Sequence, residues 1–364
     1  MTWKVVLKKK DFNYMLNNII SLYKPGKSRL NRNIIYKMSS NENPLGASAL
    51  VLKKVKIEHN KLERYPNITY LNLSKNIADI YKLKPDNIIF GNGSDEFLNL
   101  LCSVFLTFGD EVIICEHSFL LYKTQILAVG AIPVIVKEVE GKINLQNIIN
   151  AINTKTKVIF ITLPTNPTGT FLSFREINAF IKTLKSNIIL ILDMAYSEYL
   201  VDDRYLNEEN IVCFNRSNVI IIKTFSKIHG LASLRIGWIY AHKKYIKLIS
   251  KIKSPFNVNK IAQIAGNIAI SDRKHYITSR SFNLFWIIKI IKKLSSKSII
   301  IRNLSFTNFI IISLIKRLPI IIIEKYLFKY GIIIRNISEY KLFNSLRISI
   351  GISIANNILI KSLL

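Results

Sequence analysis

The chain has 364 residues, 49% of them hydrophobic and 10% aromatic, which excludes disorder on the scale of the whole chain and, because the length exceeds one typical core, points to two domains. The 52 Lys and Arg against 23 Asp and Glu leave a net charge of +29, yet these cations are scattered among Ile and Asn, with KKKD near the start as the densest cluster, so the charge does not mark a nucleic-acid tract. Cys102, Cys115 and Cys213 are odd in number and widely spaced, which speaks against a disulfide framework and against a metal site of the zinc type.

The opening MTWKVVLKKKDF carries no apolar segment behind its charges, so no secretion signal is expected. No stretch reaches the roughly 18 uncharged apolar residues of a membrane span. The greasiest region, NFIIISLIKRLPIIII, is interrupted by Lys316, Arg317 and Pro319, and reads as two buried elements joined by a turn. A cytoplasmic protein with neither nucleic acid nor membrane as partner is the expectation.

In chain order, the strand candidates between about residues 87 and 241 are NIIF, EVIIC, IPVIV, KVIFIT, IILIL, NVIIIK and IGWIY. Between them SDEFLNLLCSVFL, SFLLYKTQILAV and SFREINAFIKTLK have helical spacing. The alternation predicts an α/β fold with a mostly parallel seven-stranded sheet flanked by helices, whose ligands gather at the carboxyl ends of the strands. Beyond about residue 256 the order changes to helical stretches over 258–296, followed by SIII, TNFIII, GIII and LRISI. That order predicts a smaller α+β C-terminal domain.

Five strand ends carry the candidate chemistry. NIIF runs into GNGSDE, where Gly91 and Gly93 let the backbone approach a ligand and the amides of Ser94, Asp95 and Glu96 open a helix, a form that binds phosphate. After KVIFIT comes LPTNPTG, which holds Asn166 on a stiff loop. Asp193 ends IILIL three residues before Tyr196, and Phe119 follows EVIIC, where its ring could lie flat against a ligand. Lys227 lies in TFSKIHGLASLRIG beside Thr224, Ser226 and Arg235, which places an amine next to hydroxyls and a fixed cation. Each feature taken alone is commonly a turn, a core ring or a solvated charge. Together they suit a cofactor that offers a carbonyl beside a phosphate and a cationic ring nitrogen for Asp193, which is what pyridoxal 5'-phosphate presents.

These motifs, with SLYKPGK, KMSSNENPLG, RYPN, LDMAYSEY, PFNVN, LSFTNF, GIIIRN and LRISIG, resemble the class I and II aminotransferases of the fold-type-I pyridoxal-phosphate enzymes, and within them the branch that acts on histidinol phosphate. The resemblance covers nearly the whole chain. It implies an N-terminal arm over 1–40, a large cofactor-binding domain over 41–255 and a small domain over 256–364. It implies that Lys227 holds the cofactor and then carries the proton at the substrate Cα, that Asp193 pairs with the ring nitrogen, and that Asn166 and Tyr196 bind the ring oxygen. Ser94, Asp95, Glu96, Thr224, Ser226 and Arg235 would surround the phosphate, with Tyr65 reaching over from a second subunit, so a homodimer with shared sites is implied. Arg347 would grip the substrate carboxylate, with Arg335, Tyr23 and Asn43 as further substrate contacts. Two positions depart from the family pattern: Met194 stands where an acidic residue is usual, and Ser233 where a glycine is usual; Ser233 is expected to crowd the turn that aims Arg235.

The expected reaction moves an amino group between L-glutamate and imidazole-acetol phosphate. Alternatives left open are an aromatic amino acid aminotransferase, a decarboxylase of a phosphorylated amino acid using the same cofactor, and, from another class, a basic non-catalytic protein that binds polyanions.

Overall fold

The strand-like runs alternate between the two sides of one sheet, and that alternation is what makes them bury. In the computed structural model, which describes residues 36–58, 63–201, 217–295, 299–301, 305–314 and 319–364, the strands are β1 (Tyr36–Lys37), β2 (Ile88–Gly91), β3 (Glu111–Cys115), β4 (Ile132–Val136), β5 (Thr156–Thr162), β6 (Ile189–Asp193), β7 (Val219–Thr224), β8 (Gly237–Tyr240), β9 (Ile299–Ile301), β10 (Phe309–Leu314), β11 (Ile332–Ile333), β12 (Arg335–Asn336) and β13 (Ser345–Ser349). The seven-stranded sheet runs β2-β8-β7-β6-β5-β3-β4. Only β8 opposes the others, pairing antiparallel with β7 and β2. Ile159, Ile161, Leu190, Leu192 and Ile221 enter one core, while Val158, Phe160, Ile189, Ile191, Ile220 and Ile222 enter the core on the other face. Both faces are covered, as continuous apolar strands require.

All seven strands foreseen from the sequence are present, and the connecting helices form with local reasons. Ser94–Phe105 starts directly behind Gly93, whose φ of 79 no side chain favours. Phe174–Thr183 is opened by a capping box between Ser173 and Glu176. The helical stretch after residue 258 is broken at Asp272, whose carboxylate caps Arg273–Leu294 by accepting from the His275 amide at 3.0 Å. Among the described residues, no helix is long and apolar enough to cross a membrane.

The C-terminal region builds a second, antiparallel sheet of order β12-β13-β10-β9. It packs against Arg273–Leu294 and Ser353–Leu363 around Trp286, Ile290, Ile310, Ile348 and Leu359. The greasy NFIIISLI segment contributes β10, whose Ile310 and Ile312 fill this core. The described chain begins with β1, which pairs in parallel with β11. From there residues 39–43 cross toward the carboxyl edge of the large sheet.

Candidate active site

Parallel pairing brings the chemistry to one edge. Thr162 lies opposite Asp193, and Gly237 lies opposite both Thr224 and Gly91. Here a cavity of about 260 Å³ opens, and Ser94, Asp95, Phe119, Asn166, Asp193, Tyr196, Thr224, Ser226, Lys227, Arg235, Arg335 and Arg347 all line it.

One end of the cavity is built for an anion. The Ser94 and Asp95 amides open the helix behind Gly93, and the buried Thr224 and Ser226 hydroxyls face them from the end of β7. Arg235 donates from Nη1 to Ser226 Oγ at 3.3 Å and from Nη2 to Asp95 Oδ2 at 3.2 Å. Glycine is required twice. A Cβ on Gly93 would run into the Arg235 guanidinium, and one on Gly237 would come within 2.8 Å of the Ser94 amide nitrogen. Ser233 is exposed. Met194 is buried in the core of the large sheet.

The opposite end holds a buried acid. Asp193 accepts from the Tyr122 hydroxyl at 2.7 Å and from the Ala195 amide at 3.1 Å. Burial raises its pKa to about 6, against the opposing pull of these donors and of Lys227. Lys227 has the converse problem: burial, reinforced by the nearby Arg347 cation, lowers its amine to about 8. Its Nζ reaches the Ser40 carbonyl at 3.4 Å and sits 5.6 Å from the centre of the Tyr196 ring. Roughly a tenth of such an amine is neutral at pH 7, far more than for an exposed lysine.

A third group faces this pair. Arg347 is buried and rests 5.3 Å from the centre of the Phe309 ring. It donates from Nη1 to Asn166 Oδ1 at 2.5 Å and from Nη2 to the Ser39 carbonyl at 3.1 Å, and its buried Nε has no partner among the described residues. A planar cation held in this way is ready for a carboxylate. Asn166 keeps its amide nitrogen available, because the bond to Arg347 uses only its oxygen. Tyr196 is buried, which pushes its phenol up to about 12, and its oxygen accepts from Asn41 Nδ2 at 2.9 Å.

Three expected contacts do not line this cavity, and one cannot be placed. Glu96 turns away: its carboxylate accepts from the Asn92 amide at 2.5 Å and from Asn257 at 2.7 Å, so it braces the turn, and only its helix-start position relates to an anion. Asn43 is a structural residue here, donating to the Ile228 carbonyl at 2.7 Å and to Ser279 at 3.0 Å. Tyr65 is 81% exposed and stacks on Phe256 at 4.5 Å, outside the cavity of its own chain. Tyr23 and Cys213 lie outside the described residues. Conversely, Asn41, Tyr122 and Thr162 were not singled out from the sequence. Asn41 stands in the same SSNEN motif as Asn43, with φ of 56 and a tie from Ser349 Oγ at 2.9 Å, and only the fold tells the two asparagines apart.

The donor set fits pyridoxal phosphate: an anion cradle that a Cβ would fill, a buried acid across from it, and a desolvated amine between. This is the fold-type-I architecture of pyridoxal-phosphate-dependent enzymes, and the chain belongs to the family aminotransferase class I and II, whose pattern matches residues 33–360. It is 39% identical over 336 residues to the histidinol-phosphate aminotransferase of Pelagibacter ubique, covering 91% of this chain and 92% of that one. To the histidinol-phosphate aminotransferase of Dinoroseobacter shibae it is 35% identical over 333 residues, covering 91% of each chain. Among solved structures, the fold is similar to that of histidinol-phosphate aminotransferase from Sinorhizobium meliloti in complex with pyridoxal-5'-phosphate, with TM-score 0.87 and 21% identity over 96% of this chain and 95% of that one.

Proposed function

We propose that this chain is a histidinol-phosphate aminotransferase, moving an amino group between L-glutamate and imidazole-acetol phosphate to give L-histidinol phosphate and 2-oxoglutarate. The observation that carries the reading is the placement of Lys227 and Asp193 on one cavity between an anion cradle and the buried Arg347. Pyridoxal phosphate, when bound, supplies an aldehyde that condenses with amines and a ring that accepts electrons from the substrate Cα. Ser94, Asp95, Thr224, Ser226 and Arg235 would hold the phosphate, Asn166 and Tyr196 the ring oxygen, and Phe119 would supply an apolar wall for the ring. Asp193 in its ionised form holds the ring nitrogen cationic. Lys227 acts first as the nucleophilic amine and then, at Nζ, takes and returns the proton of the substrate Cα.

Arg347 binds the α-carboxylate of glutamate with the guanidinium that it presents at the cavity wall. Arg335, at the cavity wall and paired with Glu339 at 3.1 Å, is assigned to the substrate phosphate together with Tyr23. The site is completed in a homodimer, in which Tyr65 of each subunit serves the other; its exposure and its stacking on Phe256 support that role. The enzyme is assigned to the cytoplasm, with a cofactor-binding domain over 41–255 and a smaller one over 256–364.

The test is a pair of half-reactions on the purified protein loaded with pyridoxal phosphate. Glutamate should release 2-oxoglutarate, and histidinol phosphate should convert the bound cofactor at least tenfold more efficiently than phenylalanine. Steady-state plots should be parallel, as alternating half-reactions require. A preference for phenylalanine would make it an aromatic aminotransferase, and release of carbon dioxide without an amino acceptor would make it a decarboxylase. Either result overturns the proposal.

A further inference from the structure

Asp193 does not stand alone in the wall of the cavity. Behind it Tyr122, fully buried in the helix Leu120–Ala128, points its hydroxyl at Asp193 Oδ2 over 2.7 Å and at Thr162 Oγ1 over 2.7 Å. A phenol has one proton, so when Tyr122 donates to the carboxylate, Thr162 must be the donor to Tyr122. The result is a chain of hydrogen bonds, Thr162 to Tyr122 to Asp193, in which each bond polarises the next. The Tyr122 ring cannot swing out of this line. It stacks on Phe160 at 4.8 Å and meets the edge of Phe119 at 5.8 Å.

Resting on the function proposed above, we propose that Tyr122 is a positioning residue: its phenol, set by Thr162, keeps Asp193 ionised and aimed so that the acid can hold a cationic ring nitrogen. Tyr122 does not itself line the cavity, so it acts only through Asp193. The Tyr122 ring also meets Phe119 edge-on at 5.8 Å, a contact that does not involve the hydroxyl. The other groups that act on Asp193 are the Ala195 amide, Lys227 and Asp95; Lys227 and the amide favour its charge, and Asp95 opposes it. Of the side chains, only Tyr122 touches it by hydrogen bond in the described residues. Burial holds the Tyr122 phenol itself well above its usual range, so it remains a donor at every working pH.

The experiment compares two ligands on two proteins, the parent and Tyr122→Phe, which keeps the ring and removes the hydroxyl. Affinity is read by fluorescence titration of cofactor-free protein with pyridoxal phosphate and with its 1-deaza analogue, in which carbon replaces the ring nitrogen. A hydrogen bond to a buried charged group predicts a loss of roughly ten- to a hundredfold for pyridoxal phosphate, with at most a few-fold loss for the analogue, which has no ring cation to hold. Thr162→Val should shift affinity in the same direction by a smaller factor, and it replaces Tyr122→Phe as the decisive variant if the latter does not fold. Equal losses for both ligands, or none for either, would show a merely structural tyrosine and overturn the role. If the parent protein fails to bind pyridoxal phosphate at all, the functional reading fails first and this role with it.

Discussion

Lys223 and Glu198 form an ion pair at 2.7 Å with both side chains almost fully buried, 1% and 2% exposed. Lys223 lies on β7 one residue before Thr224, and Glu198 lies two residues beyond Tyr196, so the pair ties the strand to the loop that leaves Asp193. Lys223 also donates to Ser197 Oγ at 2.9 Å and lies 4.6 Å from the centre of the Tyr81 ring. Among the described residues, replacing Lys223 by Met leaves the Glu198 carboxylate in the core with the Tyr81 hydroxyl at 3.5 Å and the Ser197 hydroxyl at 3.4 Å. An uncompensated buried charge of this kind costs about 3–5 kcal/mol, whereas replacing both partners by apolar residues of similar volume is close to neutral. The prediction is therefore non-additive: Lys223→Met destabilises by about 3–5 kcal/mol, and Lys223→Met with Glu198→Leu recovers most of that loss. Urea unfolding of the cofactor-free protein, followed by far-ultraviolet circular dichroism, measures it. Losses that add across the double variant, or a single-variant loss below about 1 kcal/mol, would refute the reasoning that the pair is a desolvated unit.

Three further outcomes follow from the site. Because the Lys227 amine is lowered from 10.5 to about 8 by burial, the rate at which cofactor-free protein captures pyridoxal phosphate should rise as pH passes through about 8 and level off above it, as stopped-flow absorbance will show; a rate still climbing near pH 10 would contradict it. The same shift makes the unfolded chain the better proton binder between about pH 8 and 10.5, so this group's contribution to the stability of the cofactor-free protein should increase with pH across that window. Gly93→Ala places a Cβ against the Arg235 guanidinium at a backbone φ of 79, and should weaken cofactor binding at least tenfold as well as lower the unfolding free energy by about 1–3 kcal/mol; unchanged affinity would remove Arg235 from the anion cradle.

Much of this architecture is legible in the chain itself, because β-branched runs separated by helical spacing have few ways to bury other than a covered parallel sheet. Asp193, Asn166 and Lys227 could be placed because each sits where a strand ends, and strand ends in such a sheet converge. What escaped was whatever depends on a side chain's direction within an element. Tyr122 lies in an amphipathic helix and looks like any core ring, and its hydroxyl becomes informative only once Asp193 is known to lie 2.7 Å away. Lys223 closes the run NVIIIK, and a lysine at the end of a strand suggests solvent; its partner Glu198 is 25 residues distant in sequence and meets it only through the pairing of β6 with β7. Asn41 and Asn43 are two residues apart in one motif, and the turn between them sends one to Tyr196 and the other to Ile228. Glu96 faces out of the cavity because a helix start exposes its amides to the ligand and its third side chain to the flank.

The claim on which the account rests is that one buried amine, Lys227, is the attachment point of the cofactor. Loading the protein with pyridoxal phosphate, reducing with borohydride and mapping the fixed label by peptide mass measures this directly. The label should fall on the peptide carrying Lys227 at one equivalent per chain, and the Lys227→Ala protein should take up none. A label spread over exposed lysines, or retained in full by Lys227→Ala, would contradict the assignment.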